Sequence, residues 1–70
     1  MSRTLKIVVN GEALEVEGPL SVTDLLVHLD IDPRRVAVEH NLVVLKRAAF
    51  DLTTVHAGDQ VEIVNFVGGG

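Results

Sequence analysis

The 70-residue sequence predicts a small α+β domain in which a mixed sheet of four or five strands packs on one helix. Apolar and polar residues alternate in the opening and closing segments, which is typical of half-buried strands. Between these segments, one stretch places its apolar residues at helical spacing. The chain has no cysteine, so aliphatic packing must stabilise the fold without disulfides or a thiolate metal site.

The opening segment, residues 4–17, predicts a β-hairpin. Aliphatic residues occupy every second position on each arm and are expected to point inward: Leu5, Ile7, Val9, Leu14 and Val16. Asn10-Gly11 lies between the arms and favours a type I′ turn, because both central residues of that turn need positive φ. On the second arm, Glu12, Glu15 and Glu17 are expected to face solvent.

The helical stretch follows the hairpin. Four apolar residues fall at positions i, i+3, i+4 and i+7 and form one stripe: Val22, Leu25, Leu26 and Leu29. Ser21 is a natural N-cap, and Asp24 stands where the acid of a capping box belongs. We expect the helix to end near Asp30, because Pro33 disfavours helical geometry at the residue before it.

Two short strands, one turn of helix and a closing strand are expected in the remaining chain: Val36–Glu39, Leu42–Leu45, Arg47–Phe50 and Val61–Phe66. The two short strands should lie around His40-Asn41, Phe50 should pack inward, and residues 57–59 should form a turn. The first and last strands are rich in valine and isoleucine, so we expect them to pair in parallel at the centre of the sheet. Residues 1–67 then form one domain, and residues 68–70 a flexible tail.

Composition excludes several classes of function. The net charge of −4 argues against binding to a phosphate backbone, and the two aromatic residues, Phe50 and Phe66, offer no platform for stacked bases. The apolar stretches are too short to cross a membrane, and the N-terminal residues do not resemble a secretion signal. We therefore expect a cytoplasmic domain without nucleic-acid or membrane partners. A chain of this size has too little mass to enclose a catalytic pocket and keep a core, so we do not expect an enzyme.

The titratable side chains do not suggest a catalytic or metal site. His28, His40 and His56 are separated along the chain, lack ligand spacing and are expected to have no carboxylate partner, so no metal is expected. Asp51 and Asp59 are interpreted as turn formers. The basic pairs at residues 34–35 and 46–47 are typical of solvated loops.

The last three residues are glycines, and they suggest a chemical role for the chain end. Without Cβ atoms, Gly68, Gly69 and Gly70 can thread a narrow channel that side chains would block. Since the sequence suggests no other reactive group, the terminal carboxylate of Gly70 is the candidate for the group that reacts. A frayed, inert end is the alternative.

The closing segment Val61–Gly70 resembles that of the thiamine-biosynthesis sulfur carrier proteins, the ThiS family. Further segments share the resemblance, which covers nearly the whole chain: Val9–Glu12, Ser21–Leu26, Val36–Asn41 and Ala57–Asp59. A terminal Gly-Gly alone is a weak signal, whereas Gly-Asp-x-Val-Glu-Ile-Val-x-Phe-Val ahead of it is a strong one. Residues 45–47 depart from the family, which usually has a proline before the basic residue there.

The resemblance implies a β-grasp, ubiquitin-like fold and a sequence of reactions. An E1-like adenylyltransferase would use ATP to adenylate the Gly70 carboxylate. A persulfide sulfur, derived from cysteine through a cysteine desulfurase, would displace AMP and leave a thiocarboxylate. Thiazole synthase would then accept that sulfur. The resemblance implies no cofactor bound to the carrier itself, which acts as a co-substrate.

Val64 and Phe66 should face opposite to Ile63 on the last strand, beside the tail. Our hypothesis is that they form an apolar patch that docks partner enzymes, with Val67, Gly68 and Gly69 continuing the contact. The alternative is that the rest of the domain covers them. Three other functions remain open: a small subunit resembling that of molybdopterin synthase, a ubiquitin-like protein modifier, and a β-grasp binding module with an inert tail.

Overall fold

A computed structural model describes residues 3–66 and shows a five-stranded sheet with one helix on its inner face. Its elements are β1 (Thr4–Val9), β2 (Glu12–Glu17), β3 (Leu20–Ser21), α1 (Val22–His28), β4 (Val36–His40), β5 (Val43–Leu45), β6 (Thr54–Val55) and β7 (Gln60–Asn65). The order across the sheet is β2-β1-β7-β4-β5, and β1 runs parallel to β7. The mixed sheet and its parallel central pair are therefore confirmed. Sequence analysis missed a separate two-stranded sheet of β3 and β6.

The first hairpin forms as predicted. Val9 pairs with Glu12, which leaves a two-residue turn. Asn10 has φ of 50° and Gly11 has φ of 81°, so both central residues adopt the positive φ of a type I′ turn. Glu12, Glu15 and Glu17 are all exposed, as expected.

Helix α1 begins at the predicted capping box. The Asp24 backbone N–H donates to the Ser21 hydroxyl at 3.0 Å, and the Ser21 N–H donates to the Asp24 carboxylate at 3.0 Å. The helix ends at His28, and Asp30 leaves the helical path with φ of 61°. No helix within residues 3–66 is long and apolar enough to span a bilayer.

The core lies between α1 and the inner face of the sheet. It consists of aliphatic side chains and one aromatic ring: Ile7, Val16, Leu20, Val22, Leu25, Leu26, Val36, Val38, Phe50, Val55, Val61 and Ile63. Phe50 follows a 3₁₀ turn at Arg47–Ala49 and is 3% exposed, so its predicted inward packing is confirmed. Its carbonyl accepts a hydrogen bond from the Thr23 N–H, which ties this loop to the start of α1.

The second hairpin differs from the prediction. β4 extends to His40 and β5 begins at Val43, so the turn is Asn41-Leu42 rather than His40-Asn41. Both turn residues have positive φ, 50° and 71°. Asparagine adopts this conformation readily, but leucine does so rarely. Alternation therefore assigned Leu42 to a strand, although it lies in the turn and is 82% exposed.

Asn10 completes the pairing of β7 where β1 ends. The parallel ladder covers only Val8 with Gln60 and Val9 with Val61. Beyond it, the Asn10 side-chain oxygen accepts from the Ile63 N–H at 2.7 Å, and its amide donates to the Ile63 carbonyl at 3.2 Å. One side chain thus satisfies two backbone groups of the central strand.

Replacing Asn10 with glycine keeps the turn but removes this amide. We expect Asn10→Gly to lower the free energy of unfolding by about 1–3 kcal/mol, because the Ile63 N–H and C=O lose their partners. Urea denaturation measures the change. The control is Leu42→Gly, which also places glycine at a positive φ but removes an exposed side chain. That control should leave stability unchanged or raise it by up to about 1 kcal/mol. Equal effects of the two substitutions would show that the amide contributes nothing.

Candidate functional site

The outer face of the sheet, opposite α1, presents the residues that precede the tail. Val64 and Phe66 are 61% and 55% exposed. Ile63, which faces the core from the opposite side of the same strand, is 9% exposed. The alternative that the domain covers Val64 and Phe66 is therefore wrong for residues 3–66. Their role in docking stays a prediction.

Two further apolar residues extend this surface. Ala37 on β4 lies directly opposite Val64, and Val44 on β5 is 71% exposed. With Val64 they line a shallow depression of about 70 Å³. We call Ala37, Val44, Val64 and Phe66 the outer-face patch. Sequence analysis missed Ala37 and Val44, since the segment around Val44 is a continuous apolar run that alternation cannot assign to one face. The β4–β7 register would have identified Ala37.

The end of β7 is held in place up to the last described residue. The Phe66 N–H donates to the Arg35 carbonyl at 2.9 Å, which extends the β4–β7 pairing by one bond beyond Val36 with Asn65. Val67, Gly68, Gly69 and Gly70, the other predicted site residues, lie outside the described residues. The part of the site within the structure is therefore the outer-face patch and the strand that leads from it.

The expectation that no carboxylate accompanies the histidines is wrong for His40. Its Nε2 lies 2.6 Å from Asp59 Oδ2, and the two side chains are 17% and 10% exposed. Asp59 also accepts hydrogen bonds from the Asn41 side-chain amide at 3.1 Å and from the His56 backbone N–H at 2.8 Å. The pair is separated by 19 residues in the chain, so local sequence carries no sign of it.

These contacts govern the ionisation of Asp59. Burial alone would raise the pKa of its carboxyl, because it disfavours the charged form. The hydrogen bonds from His56, His40 and Asn41 outweigh burial and hold the pKa below its ordinary value of 3.8. Asp59 is thus a buried carboxylate that keeps its charge, and it does more than form the predicted turn.

The Asp59 cluster anchors the start of β7. The Asn41 side-chain oxygen accepts from the Gln60 N–H at 2.9 Å, and the Asn41 N–H donates to the Gln60 carbonyl at 2.8 Å. His40 and Asp59 therefore connect the second hairpin to the turn before β7. Within residues 3–66 no three histidine or acidic side chains are placed to hold a metal ion together.

A family model and a solved structure identify the family that this chain resembles. The model of the ThiS family matches residues 7–70. The crystal structure of a thiamine biosynthesis protein (ThiS) from Geobacter metallireducens is similar with a TM-score of 0.82 and 46% sequence identity, covering 94% of this chain and 100% of that one.

Two curated proteins add to this likeness. A thiazole synthase from Paramagnetospirillum magneticum is 41% identical over 66 residues, which are 94% of this chain but 20% of that protein. The chain thus spans about a fifth of that enzyme's length. A protein named "Uncharacterized protein ycf40" from Porphyra purpurea is 37% identical over 70 residues, covering 100% of this chain and 99% of its own length.

The lowered pKa of Asp59 predicts acid sensitivity. A carboxyl whose folded pKa lies below its unfolded value adds stability above the unfolded pKa, and this is lost as pH falls through the folded pKa. We therefore expect the wild type to lose more stability than Asp59→Asn between neutral pH and about pH 3, in urea denaturation at each pH. Asp30→Asn, which removes an exposed carboxylate, should follow the wild type. Parallel curves for wild type and Asp59→Asn would refute the contribution of Asp59.

Proposed function

This chain belongs to the ThiS family, and on that premise we propose that it is a sulfur carrier protein of thiamine biosynthesis. The observation that carries the proposal is the extent of the family match, which runs from the first strand through Gly70. The fold supports it as well, since β7 is paired along both edges and leads directly into Val67–Gly70.

The chemistry takes place at the Gly70 carboxylate. A carboxylate is a poor electrophile, so an E1-like adenylyltransferase first joins it to the α-phosphate of ATP, and pyrophosphate leaves. A persulfide sulfur from a cysteine desulfurase then attacks the acyl carbon, and AMP leaves. A thiol cleaves the resulting S–S bond, which frees the thiocarboxylate and forms a disulfide. The thiocarboxylate is an exposed, anionic nucleophile that thiazole synthase can accept.

The carrier is a co-substrate in this scheme. Within residues 3–66 no three histidine or acidic side chains could hold a metal ion together, and in this scheme the partner enzymes supply the positioning and the electrostatic stabilisation. ATP is bound by the adenylyltransferase rather than by this chain. That a thiazole synthase contains a matching region within its own chain supports thiazole synthase as the acceptor. We place the carrier in the cytoplasm, where ATP is available to the activating enzyme.

The outer-face patch is the docking surface for these partners. Val64 and Phe66 are large, exposed and apolar, and they directly precede the tail on the same strand. A partner that binds Val64 and Phe66 therefore lies close to the point in the chain where Val67–Gly70 begin. Val67 would continue the contact, and Gly68 and Gly69 would fit a narrow channel because they lack side chains.

Intact mass spectrometry tests the sulfur-carrier proposal. After incubation with an adenylyltransferase, ATP and a sulfur donor, we expect a mass increase equal to the exchange of one oxygen for sulfur, localised to Gly70. A chain lacking Gly69 and Gly70 should keep its circular dichroism spectrum and gain no sulfur. Isopeptide adducts on other proteins would indicate a modifier instead, and neither AMP adduct nor sulfur gain with an active enzyme would refute the carrier.

A matched pair of substitutions tests the docking surface. Val64→Asp and Phe66→Asp should weaken binding to the adenylyltransferase by about tenfold or more, because a charge would be buried in an apolar contact. Val27→Asp is the control, since Val27 is 64% exposed and lies on α1, on the other side of the sheet. Isothermal titration calorimetry measures the affinity of variants whose fold is intact. Equal affinity of all three variants would rule out this face.

A further inference from the structure

Two glutamates face each other across the centre of the outer face. Glu39 on β4 lies directly opposite Glu62 on β7, so both side chains project to the same side of the sheet. Within residues 3–66 neither carboxylate has a hydrogen-bond or ion-pair partner. Like charges at directly opposite positions destabilise a sheet, so this pair opposes folding rather than supporting it.

The same two residues border the depression in the outer-face patch. Its remaining lining is aliphatic, from Ala37, Val38, Val44 and Val64. Glu39 is half-buried and Glu62 is exposed. The two carboxylates therefore border an apolar surface, and one of them is partly shielded from water. A group that fits here must offer an apolar stem and a positive end that reaches both carboxylates.

We infer that the docking partner places an arginine side chain between Glu39 and Glu62. This inference rests on the proposed docking of the adenylyltransferase on the outer-face patch. The arginine stem would lie on Val44 and Val64, and its planar guanidinium has donors enough to serve two carboxylates at once. Charge complementarity supports the assignment, because the chain carries a net charge of −4 and, among the described residues, no cation pairs with these two acids.

This arrangement accounts for the unfavourable pairing of Glu39 with Glu62 across β4 and β7. In the free carrier the two charges repel each other, and in the complex the guanidinium neutralises that repulsion. Binding therefore gains both the new contacts and the relief of the old repulsion. A surface that is apolar but doubly acidic also rejects partners that present carboxylates at this position.

The double variant Glu39→Gln/Glu62→Gln tests the inference. Its free energy of unfolding in urea should equal or exceed that of the wild type, because the repulsion is removed. Its affinity for the adenylyltransferase should fall about tenfold at low salt, and the loss should shrink at high salt. Glu12→Gln/Glu15→Gln is the matched control: it changes the net charge equally but lies on β2, away from the depression. That control should lose far less affinity.

The outcomes separate this inference from the proposals beneath it. Unchanged affinity of Glu39→Gln/Glu62→Gln, with binding weakened by Val64→Asp, would overturn the arginine and leave the docking face intact. An equal loss in both double variants would also overturn it, since only net charge would then matter. The sulfur gain at Gly70 is read by mass, so the carrier function stands or falls independently of either result.

Discussion

The whole fold depends on pairing the backbone of β7 along both of its edges. β4 runs antiparallel along one edge, but β1 accompanies the other for only two residue pairs. Two asparagines, each at the first position of a hairpin turn, supply hydrogen bonds to β7 where the strand pairing ends. Asn10 bonds the Ile63 backbone on one edge, and Asn41 bonds Gln60 on the other. Each turn thus closes its own hairpin and also positions the central strand. The geometry of the two turns therefore helps to set the direction of β7.

One face of the sheet packs against the core, and the other carries the surface that we propose for docking. The inner face carries the buried side chains of the five-stranded sheet and packs on α1. The outer face carries Val44, Val64, Phe66 and the facing acids Glu39 and Glu62, none of which belongs to the core. Because strand residues alternate between faces, a substitution on the outer face leaves the inner packing untouched. The docking face that we propose is therefore independent of the core.

Sequence reasoning succeeded where the cause of structure is local. The Asn10-Gly11 turn, the Ser21–Asp24 capping box and the inward Phe50 each follow from a few neighbouring residues, and all are present. It failed where the cause is distant. The contact of His40 with Asp59 and the placing of Ala37 beside Val64 depend on strand register, and the two-residue β3 and β6 are too short to show a period. Leu42 was misplaced because its turn is held by its neighbour Asn41, not by a preference of leucine.

For the site, Val64 and Phe66 were found from alternation, whereas Glu39 and Glu62 are visible as a pair only in the register.

The central position of β7 has a consequence for how the protein is made. β7 follows the other strands in the chain and is synthesised after them, yet it fills the gap between β1 and β4. Until it emerges from the ribosome, those two strands are left with open edges and the core lacks Val61 and Ile63. Because β2 to β6 and α1 lie between β1 and β7 in the chain, the pairing of β1 with β7 is a late, non-local step. A chain that lacks β7 presents neither Val64 nor Phe66, so the docking that we propose would also select carriers whose sheet is complete.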